Sequence, residues 1–152
     1  MISLALAESF YTEELDMVNM KAVYEGQLHC TITHGPSGNV IVTDAPVDNQ
    51  GKGEAFSPTD LVGAALGSCM LTVMGIVARR HDIKMEGSTV QVVKEMVTTP
   101  QRRIGSLSLR ISMAAGIPQD KRSMLEAAAH ACPVHKSLHP DVHIPIEFIW
   151  NE

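Results

Sequence analysis

Aromatic residues and positive charge are both scarce in this sequence. Only 4% of its 152 residues are aromatic, and 17 acidic against 12 basic residues give a formal net charge of −5. Nucleic acids and anionic membranes are bound through a basic surface, and unpaired bases are bound by stacking on aromatic side chains. The composition therefore predicts no nucleic-acid partner and no membrane partner.

Cysteine is rare, and the usual catalytic motifs are missing. The three cysteines, Cys30, Cys69 and Cys132, are odd in number and widely spaced, unlike the dense, even set of a small disulfide scaffold. The chain has no glycine-rich phosphate loop, no Gly-x-Ser-x-Gly elbow and no Cys-x-x-Cys pair. These absences argue against nucleotide binding, esterase chemistry and thioredoxin-like chemistry.

The first residues lack the features of a cleaved signal peptide. The short apolar run at residues 2–7 has no positive charge before it, and Glu8 follows it at once. Together with the sparse cysteines, this predicts a protein of a reducing compartment, the cytoplasm. We interpret residues 1–19, a mixed acidic stretch, as a peripheral N-terminal extension.

Alternation of apolar and polar residues begins after the extension. It covers residues 21–33 and 39–43, with strong turn residues at 34–38 between them, and predicts a β-hairpin or meander. The connection over residues 44–56 has no periodicity and is long enough to serve a site. Because 45% of the residues are hydrophobic, one sizeable core is expected.

A long helix is predicted next. Residues 57–60, Ser-Pro-Thr-Asp, combine a capping hydroxyl, a first-turn proline and a first-turn carboxylate. No charged residue occurs from 61 to 78, a length that could span a membrane. Its glycines and small polar residues favour instead a helix buried on all sides within a protein. One small sheet cannot cover such a helix, which predicts a homodimer with a shared core.

The second half of the chain continues as two strands, a helix and a strand. Residues 87–97 and 105–114 read as a hairpin, and a helix runs from Pro118 towards Cys132. Residues 142–150 alternate as a closing strand, which the internal Pro145 places at a sheet edge. This order of elements predicts an α+β fold.

The cysteines differ in their local settings. Cys69 lies about three turns inside the long helix, beyond the reach of the N-terminal helix dipole. Cys132 precedes Pro133 and could be the N-cap of a short helix, whose free N–H groups would lower the pKa of the Cys132 thiol. Local reasoning thus makes Cys132 the more acidic candidate. Cys69 or Cys132 could instead be a small buried apolar residue, which is the usual role of a free cysteine. Cys30 lies in strand-like sequence, and we interpret it as structural.

Two segments around these cysteines carry a family signal. They read SPTDLVGAALGSC at residues 57–69 and CPVHKSL at residues 132–138. Together they resemble the OsmC/Ohr family of osmotically inducible and organic hydroperoxide resistance proteins, and two motifs in the right order are more specific than either alone. The resemblance covers about residues 20–150 and implies an OsmC-like domain over residues 20–152.

The resemblance implies both a fold and an activity. The fold is an intertwined α+β homodimer, with β-sheets wrapped around two long central helices and the cysteines near the subunit interface. The activity is thiol-dependent reduction of organic hydroperoxides in oxidative stress defence. Cys69 would become a sulfenic acid and Cys132 would condense with it into a disulfide. A dithiol or thiol protein would restore the pair, with no cofactor.

The chain departs from the family at the residues expected to assist the thiolate. Ohr-type members use an arginine in the N-terminal sheet region, whereas the first arginine here is Arg79. The family's glutamate, ten positions before the helix cysteine, is matched by Thr59, with Asp60 next to it. Asp60 is therefore a candidate catalytic residue, or it only caps the helix. Candidate replacement cations are Lys52, Arg102 and Arg103.

Two further groups of residues are candidates for binding a substrate or a metal. Glu54 and Phe56 lie in the long connection and could line the mouth of a substrate pocket, although solvated loop residues are the alternative. His135 and His139 could share a helix face, but no paired cysteines or carboxylate cluster completes a zinc set. We therefore predict no metal and interpret His135 as a polar neighbour of Cys132.

Two alternative functions remain open at the level of sequence. The same fold could bind a small apolar ligand with little peroxidase turnover, which the missing N-terminal arginine favours. It could also be a structural stress protein in which Cys69 and Cys132 are buried thiols or a crosslink.

Overall fold

The structure is a computed structural model that describes residues 17–152. The chain divides at Ser57 into two compact units, an N-terminal unit and a C-terminal unit that spans Pro58–Glu152. The first strand begins at Met20, near the predicted end of the extension. Residues 1–16 of the predicted extension lie outside the described residues, and the boundary stays a prediction.

The N-terminal unit is the predicted meander. Strands β1 (Met20–Gly26), β2 (His29–His34) and β3 (Val40–Asp44) pair antiparallel in the order β1-β2-β3. The turn between β2 and β3 closes through hydrogen bonds between the backbones of His34 and Gly38 and of His34 and Asn39, both 2.8 Å. The long connection after β3 contains one 3₁₀ turn, Val47–Asn49. Several strand residues are apolar and exposed: Val23, Val40, Ile41 and Val42.

Helix α1 (Pro58–Arg80) opens the C-terminal unit, as predicted. Its proline stands at the first helical position, where no intrahelical N–H is needed, and Asp60 lies in the first turn. Arg79 and Arg80 lie in the last turn, where positive charge suits the helix dipole. The helix ends where Asp82 adopts a left-handed conformation with φ of 55°.

A three-stranded sheet follows, made of β4 (Thr89–Val97), β5 (Arg103–Met113) and β6 (Ile146–Trp150). β4 and β5 form the predicted hairpin, and β6 pairs parallel to β5 at the sheet edge. The regular part of β6 is shorter than predicted because Pro145 has no N–H to donate. The carbonyls of His143 and Pro145 nevertheless accept hydrogen bonds from β5, each 2.9 Å long.

Two more helices complete the unit, α2 (Gln119–His130) and α3 (Pro133–Ser137). α1 lies against β4 and β5 and contacts α2 and α3. The buried core is formed mainly by α1, β5 and α2, with partly buried residues of β4 and β6 packed against it. Its fully buried larger side chains include Leu66, Met70, Met74, Leu107, Ile111, Met113, Leu125 and Cys132. The α+β class predicted from the order of elements is confirmed.

The approach of α1 to the sheet depends on a glycine. A Cβ atom added at Gly67 would lie 3.0 Å from Val92 Cγ2 and 3.1 Å from Val90 Cγ1. These distances are shorter than ordinary van der Waals contact, so a side chain would push the helix away from β4. Gly67 therefore sets the spacing that brings the middle of α1, including Cys69, against the core.

In the single chain α1 is not buried on all sides. The prediction of burial on all sides included a second subunit and stays a prediction. A stripe of small and apolar residues on α1 stays exposed, because α2 and the sheet pack on its other faces; it consists of Ala65, Ser68, Thr72 and Ile76. By length and composition alone α1 could cross a membrane. Its buried residues, however, pack into the core of the C-terminal unit, as in a core helix.

Candidate functional site

The thiols of Cys69 and Cys132 meet inside the C-terminal unit. Cys69 lies in the middle of α1, and Cys132 lies between α2 and α3. Cys69 packs against the core cluster that contains Cys132, the Cys69 side chain contributes to the raised pKa of the Cys132 thiol, and both cysteines are free thiols. Cys69 is partly exposed, whereas Cys132 is 0% exposed. The structure therefore brings together two of the three residues predicted as catalytic.

Cys132 is held in place by the break between α2 and α3. Pro133 begins the short helix, and the Cys132 backbone is extended, with φ of −52° and ψ of 127°. The Cys132 sulfur accepts a hydrogen bond of 3.5 Å from the backbone N–H of His135. The predicted N-cap is thus confirmed, and it points the sulfur towards α1.

The pKa of the Cys132 thiol is raised above its ordinary value. Burial is the main cause, because a thiolate loses its hydration there, and contact with Cys69 adds to it. Hydrogen bonds from the backbones of His135 and Val134 act in the opposite direction but are weaker. The expectation that the cap would make Cys132 acidic is therefore wrong in its net effect, because the argument from the helix terminus left out desolvation.

His135 contacts the residues around Cys132 through its ring as well. Its Nδ1 lies 3.3 Å from the carbonyl oxygen of His130, and the two rings are 6.1 Å apart in an edge arrangement. The ring of His130 in turn contacts Phe148, which stacks on Trp150. These ring contacts connect the turn that carries Cys132 to β6. His135 thus helps to hold that turn in place, as expected for a polar neighbour of Cys132.

A charged pair lies at the start of α1. Lys94 Nζ is 2.5 Å from an Asp60 carboxylate oxygen and 2.8 Å from the Thr59 hydroxyl. The Lys94 side chain is 17% exposed and that of Asp60 is 39% exposed. Asp60, the third residue predicted as catalytic, is thus ion-paired, and its part in any reaction stays a prediction.

Lys94 was missed by the sequence reasoning, although a signal for it existed. In β4, Val90, Val92 and Lys94 share the face that packs towards α1, whereas Val93 points outwards and is 60% exposed. A charged residue at an inward position of an alternating strand needs a partner. How β4 is positioned against α1 is decided by tertiary packing. The sequence therefore could not indicate that Asp60 and Thr59 are the partners of Lys94.

The other candidate cations have different surroundings. Arg103 Nη1 lies 3.1 Å from the carbonyl oxygen of Ile104 and 3.5 Å from that of Asp141. Arg102 is exposed in the connection before β5. Lys52 belongs to the N-terminal unit, where its charge helps to lower the pKa of Asp44. The sequence spacing of these residues alone does not indicate which of them stabilises a thiolate at Cys69 or Cys132.

Glu54 and Phe56, predicted to bind substrate, are fixed in the N-terminal unit by their backbones. The Glu54 N–H donates to the Asp44 carboxylate over 3.0 Å, and the Phe56 carbonyl accepts from the Asp44 N–H over 3.1 Å. The Phe56 side chain is 59% exposed. Their predicted role in binding substrate stays a prediction.

The buried Asp44 carboxylate forms a hydrogen bond with His29 that the sequence reasoning did not anticipate. Its carboxylate lies 2.5 Å from His29 Nδ1, and β2 and β3 pair these two residues directly. The hydrogen bond to His29 is the main cause that holds the pKa of Asp44 below its ordinary value; burial acts against it, and the Glu54 N–H contributes in the same direction as His29. Asp44 therefore anchors both ends of the long connection.

The histidines do not form a metal site in the part of the chain that the structure describes. Across residues 17–152, no group of three or more histidine, cysteine, aspartate or glutamate side chains is arranged to hold a metal ion. His139 Nδ1 accepts instead from the backbone N–H of Asp141 over 3.1 Å.

Comparison with known proteins identifies the family. A family model described as OsmC-like protein matches residues 51–147, which include both cysteines of the thiol pair. The chain therefore belongs to the OsmC-like family. A search of the curated proteins gave no match.

Solved structures show the same fold. A protein of Psychrobacter arcticus 273-4, assigned to osmotic stress induction and detoxification response, is 43% identical, with 87% of this chain and 96% of that chain covered and a TM-score of 0.82. An organic hydroperoxide resistance protein OsmC of Legionella pneumophila is 20% identical, with 89% and 98% covered and a TM-score of 0.72. The organic hydroperoxide resistance protein OhrB of Bacillus subtilis is 20% identical, with 88% and 98% covered and a TM-score of 0.64.

Proposed function

We propose that this protein is a thiol-dependent peroxidase that reduces organic hydroperoxides in oxidative stress defence. The observation that carries the proposal is the packing of Cys69 against the core cluster that contains Cys132, within one chain. Membership of the OsmC-like family supports it, because structural neighbours include organic hydroperoxide resistance proteins. The odd number and wide spacing of the three cysteines suit a protein of the reducing cytoplasm.

The proposed reaction has two steps on the enzyme. The Cys69 thiolate attacks the distal oxygen of the hydroperoxide, the O–O bond breaks, and the alkoxide takes a proton and leaves as the alcohol. Cys69 is then a sulfenic acid. The Cys132 sulfur attacks the Cys69 sulfur, the S–O bond breaks, and the hydroxyl leaves as water with the proton of Cys132. A dithiol or thiol protein reduces the resulting disulfide and is itself oxidised to a disulfide.

The settings of the two thiols support this division of roles. Cys69 is partly exposed and is the sulfur that a peroxide can reach. Cys132 is fully buried and its raised pKa favours the protonated form, which suits a residue that reacts only with an oxidised neighbour. The side chains that pack near them are mainly apolar, which favours alkyl peroxides over hydrogen peroxide.

We propose further roles for the remaining predicted residues. Asp60, paired with Lys94, fixes the start of α1 and with it the direction of the helix that carries Cys69. Glu54 and Phe56 contribute to the mouth of the substrate site. Asp60→Asn and Lys94→Met should then slow peroxide-dependent thiol loss to similar extents, whereas unequal effects would assign one of them a role outside the pair.

We also propose that the protein is a homodimer. The exposed stripe on α1 consists of small and apolar residues at helical spacing, and close helix packing uses such residues. The N-terminal sheet also exposes apolar side chains, with Ile41 among them. A second copy would cover these surfaces, which a monomer would leave in water.

The function is tested by the reaction of the reduced protein with peroxide. One equivalent of an alkyl hydroperoxide should remove two hydrogens from the intact mass within seconds, and hydrogen peroxide should do so more slowly. Cys30→Ser is the matched control and should react like the parent protein. Thiols that persist for many minutes would contradict the peroxidase and favour a ligand-binding protein with the same fold, which bound apolar material would then support.

A further inference from the structure

We propose that reduction of the Cys69–Cys132 disulfide begins at Cys69: the incoming thiolate bonds to the Cys69 sulfur, and the Cys132 sulfur leaves. The inference rests on the proposed function only for the existence of this disulfide. Two observations bear on it: the difference in exposure between the two cysteines, which carries the inference, and the hydrogen bonds that reach the Cys132 sulfur, which offset part of the cost of its departure.

The first observation concerns the path of the attacking sulfur. Thiol–disulfide exchange depends on access to the sulfur attacked, and the nucleophile approaches from the side opposite the bond that breaks. For Cys132 that approach lies among the core residues of the C-terminal unit, which include Leu125 and Ala129 of α2, both 0% exposed. Cys69 is partly exposed. A thiol can therefore reach the Cys69 sulfur without opening the core.

The second observation concerns the leaving sulfur. As the S–S bond breaks, negative charge develops on the sulfur that departs, and a hydrogen-bond donor lowers the free energy of that charge. The backbone N–H of His135 already points at Cys132 Sγ over 3.5 Å, and the Val134 N–H acts on the same sulfur. These donors offset part of the cost of placing charge on the buried Cys132 sulfur, but burial outweighs them and raises the pKa of the Cys132 thiol. The order of exchange therefore rests on access to the Cys69 sulfur.

The exchange balances in two steps. A thiolate RS⁻ forms an RS–S bond with Cys69 while the S–S bond breaks and its electron pair goes to Cys132, which takes up a proton. A second thiolate of the reductant then attacks the R-side sulfur, forms the oxidised reductant and releases Cys69 as the thiolate. Neither step requires contact between the reductant and Cys132, and the second leaves Cys69 in the form that attacks a peroxide.

The test maps the mixed disulfide directly. Cys30→Ser protein is oxidised with diamide, which forms the disulfide without any peroxide, and is then mixed with reduced glutathione. An acid quench, alkylation with N-ethylmaleimide and peptide mass mapping identify which cysteine carries glutathione. We expect glutathione on Cys69 and the maleimide on Cys132, in at least tenfold excess over the reverse pattern. The single-cysteine variants Cys30→Ser/Cys132→Ser and Cys30→Ser/Cys69→Ser calibrate the mapping.

The outcomes separate this inference from the proposed function. Glutathione on Cys132, an equal distribution, or failure of diamide to form the disulfide would overturn the inference. A protein that shows glutathione on Cys69 but does not react with alkyl hydroperoxide would refute the peroxidase and leave the order of exchange intact. In the Cys69→Ser calibration variant, Cys132 should react with an aromatic disulfide reagent at least tenfold more slowly than Cys69 does in the Cys132→Ser variant.

Discussion

At the scale of single residues, the properties of Cys132 follow from a competition between burial and hydrogen bonding. The N-cap bond from His135 is present, yet loss of hydration outweighs it and raises the pKa of the thiol. A sequence motif reveals the cap because the cap is local, but it does not reveal the burial, which depends on α1 and α2 packing around the turn. The motif alone therefore predicted a lowered pKa for the Cys132 thiol, whereas the folded protein raises it.

The raised pKa of Cys132 predicts how stability depends on pH. Between the unfolded pKa of about 8.5 and the higher folded pKa, the native state binds more protons than the unfolded state. The contribution of the Cys132 thiol to the free energy of unfolding is therefore fully present below the unfolded pKa. It is lost as the pH rises through the folded pKa. Urea unfolding of reduced Cys30→Ser protein from pH 7 to pH 10 should show a steeper decline than that of Cys30→Ser/Cys132→Ser. Parallel curves would contradict the assigned direction.

The pair of Asp44 and His29 predicts the opposite dependence. The folded pKa of Asp44 lies below its unfolded value, so its contribution is present above about pH 4 and is lost as the pH falls through the folded pKa. Asp44→Asn should lower the free energy of unfolding at neutral pH, and this deficit should shrink below about pH 4. Glu25→Gln, at an exposed position of β1, is the control. A deficit that is the same in acid and at neutral pH would refute this explanation.

At the scale of elements, the strands and helices were largely predictable because their signals are local. Residues 57–60 marked the start of α1, and alternation marked β4 and β5. The meeting of Cys69 with Cys132 followed only from the family resemblance, since no local pattern relates α1 to the α2–α3 turn. The Lys94–Asp60 pair was not predicted, because it depends on the register of β4 against α1.

The close approach of α1 to β4 predicts contrasting effects of two glycine substitutions in the same helix. Gly67→Ala places a Cβ 3.0 Å from Val92 Cγ2 and should lower the free energy of unfolding by about 1–3 kcal/mol. A Cβ at Gly75 would meet no atom within 4 Å of it in the chain, so Gly75→Ala should be neutral or stabilising by up to about 1 kcal/mol. Equal effects of the two variants in urea unfolding would contradict the packing account.

At the scale of the whole molecule, the exposed stripe on α1 predicts the oligomeric state. Light scattering should give a mass of twice the chain mass of 16.5 kDa. Ile76 is 40% exposed on this stripe, and Ile76→Glu should place a charge in the dimer contact and shift the protein towards monomer. Val93→Glu, on the outward face of β4, is the matched control and should stay dimeric. A parent protein with the mass of one chain would refute the dimer.

The central claim is that Cys69 reacts first with the peroxide and that Cys132 resolves the product. It is tested most directly by trapping the sulfenic acid after addition of one equivalent of an alkyl hydroperoxide, with dimedone as the trap and peptide mass mapping as the readout. The account predicts a dimedone adduct on Cys69 in Cys30→Ser/Cys132→Ser protein and no adduct on Cys132 in Cys30→Ser/Cys69→Ser protein. An adduct on Cys132 in the second variant, or none on Cys69 in the first, would contradict it.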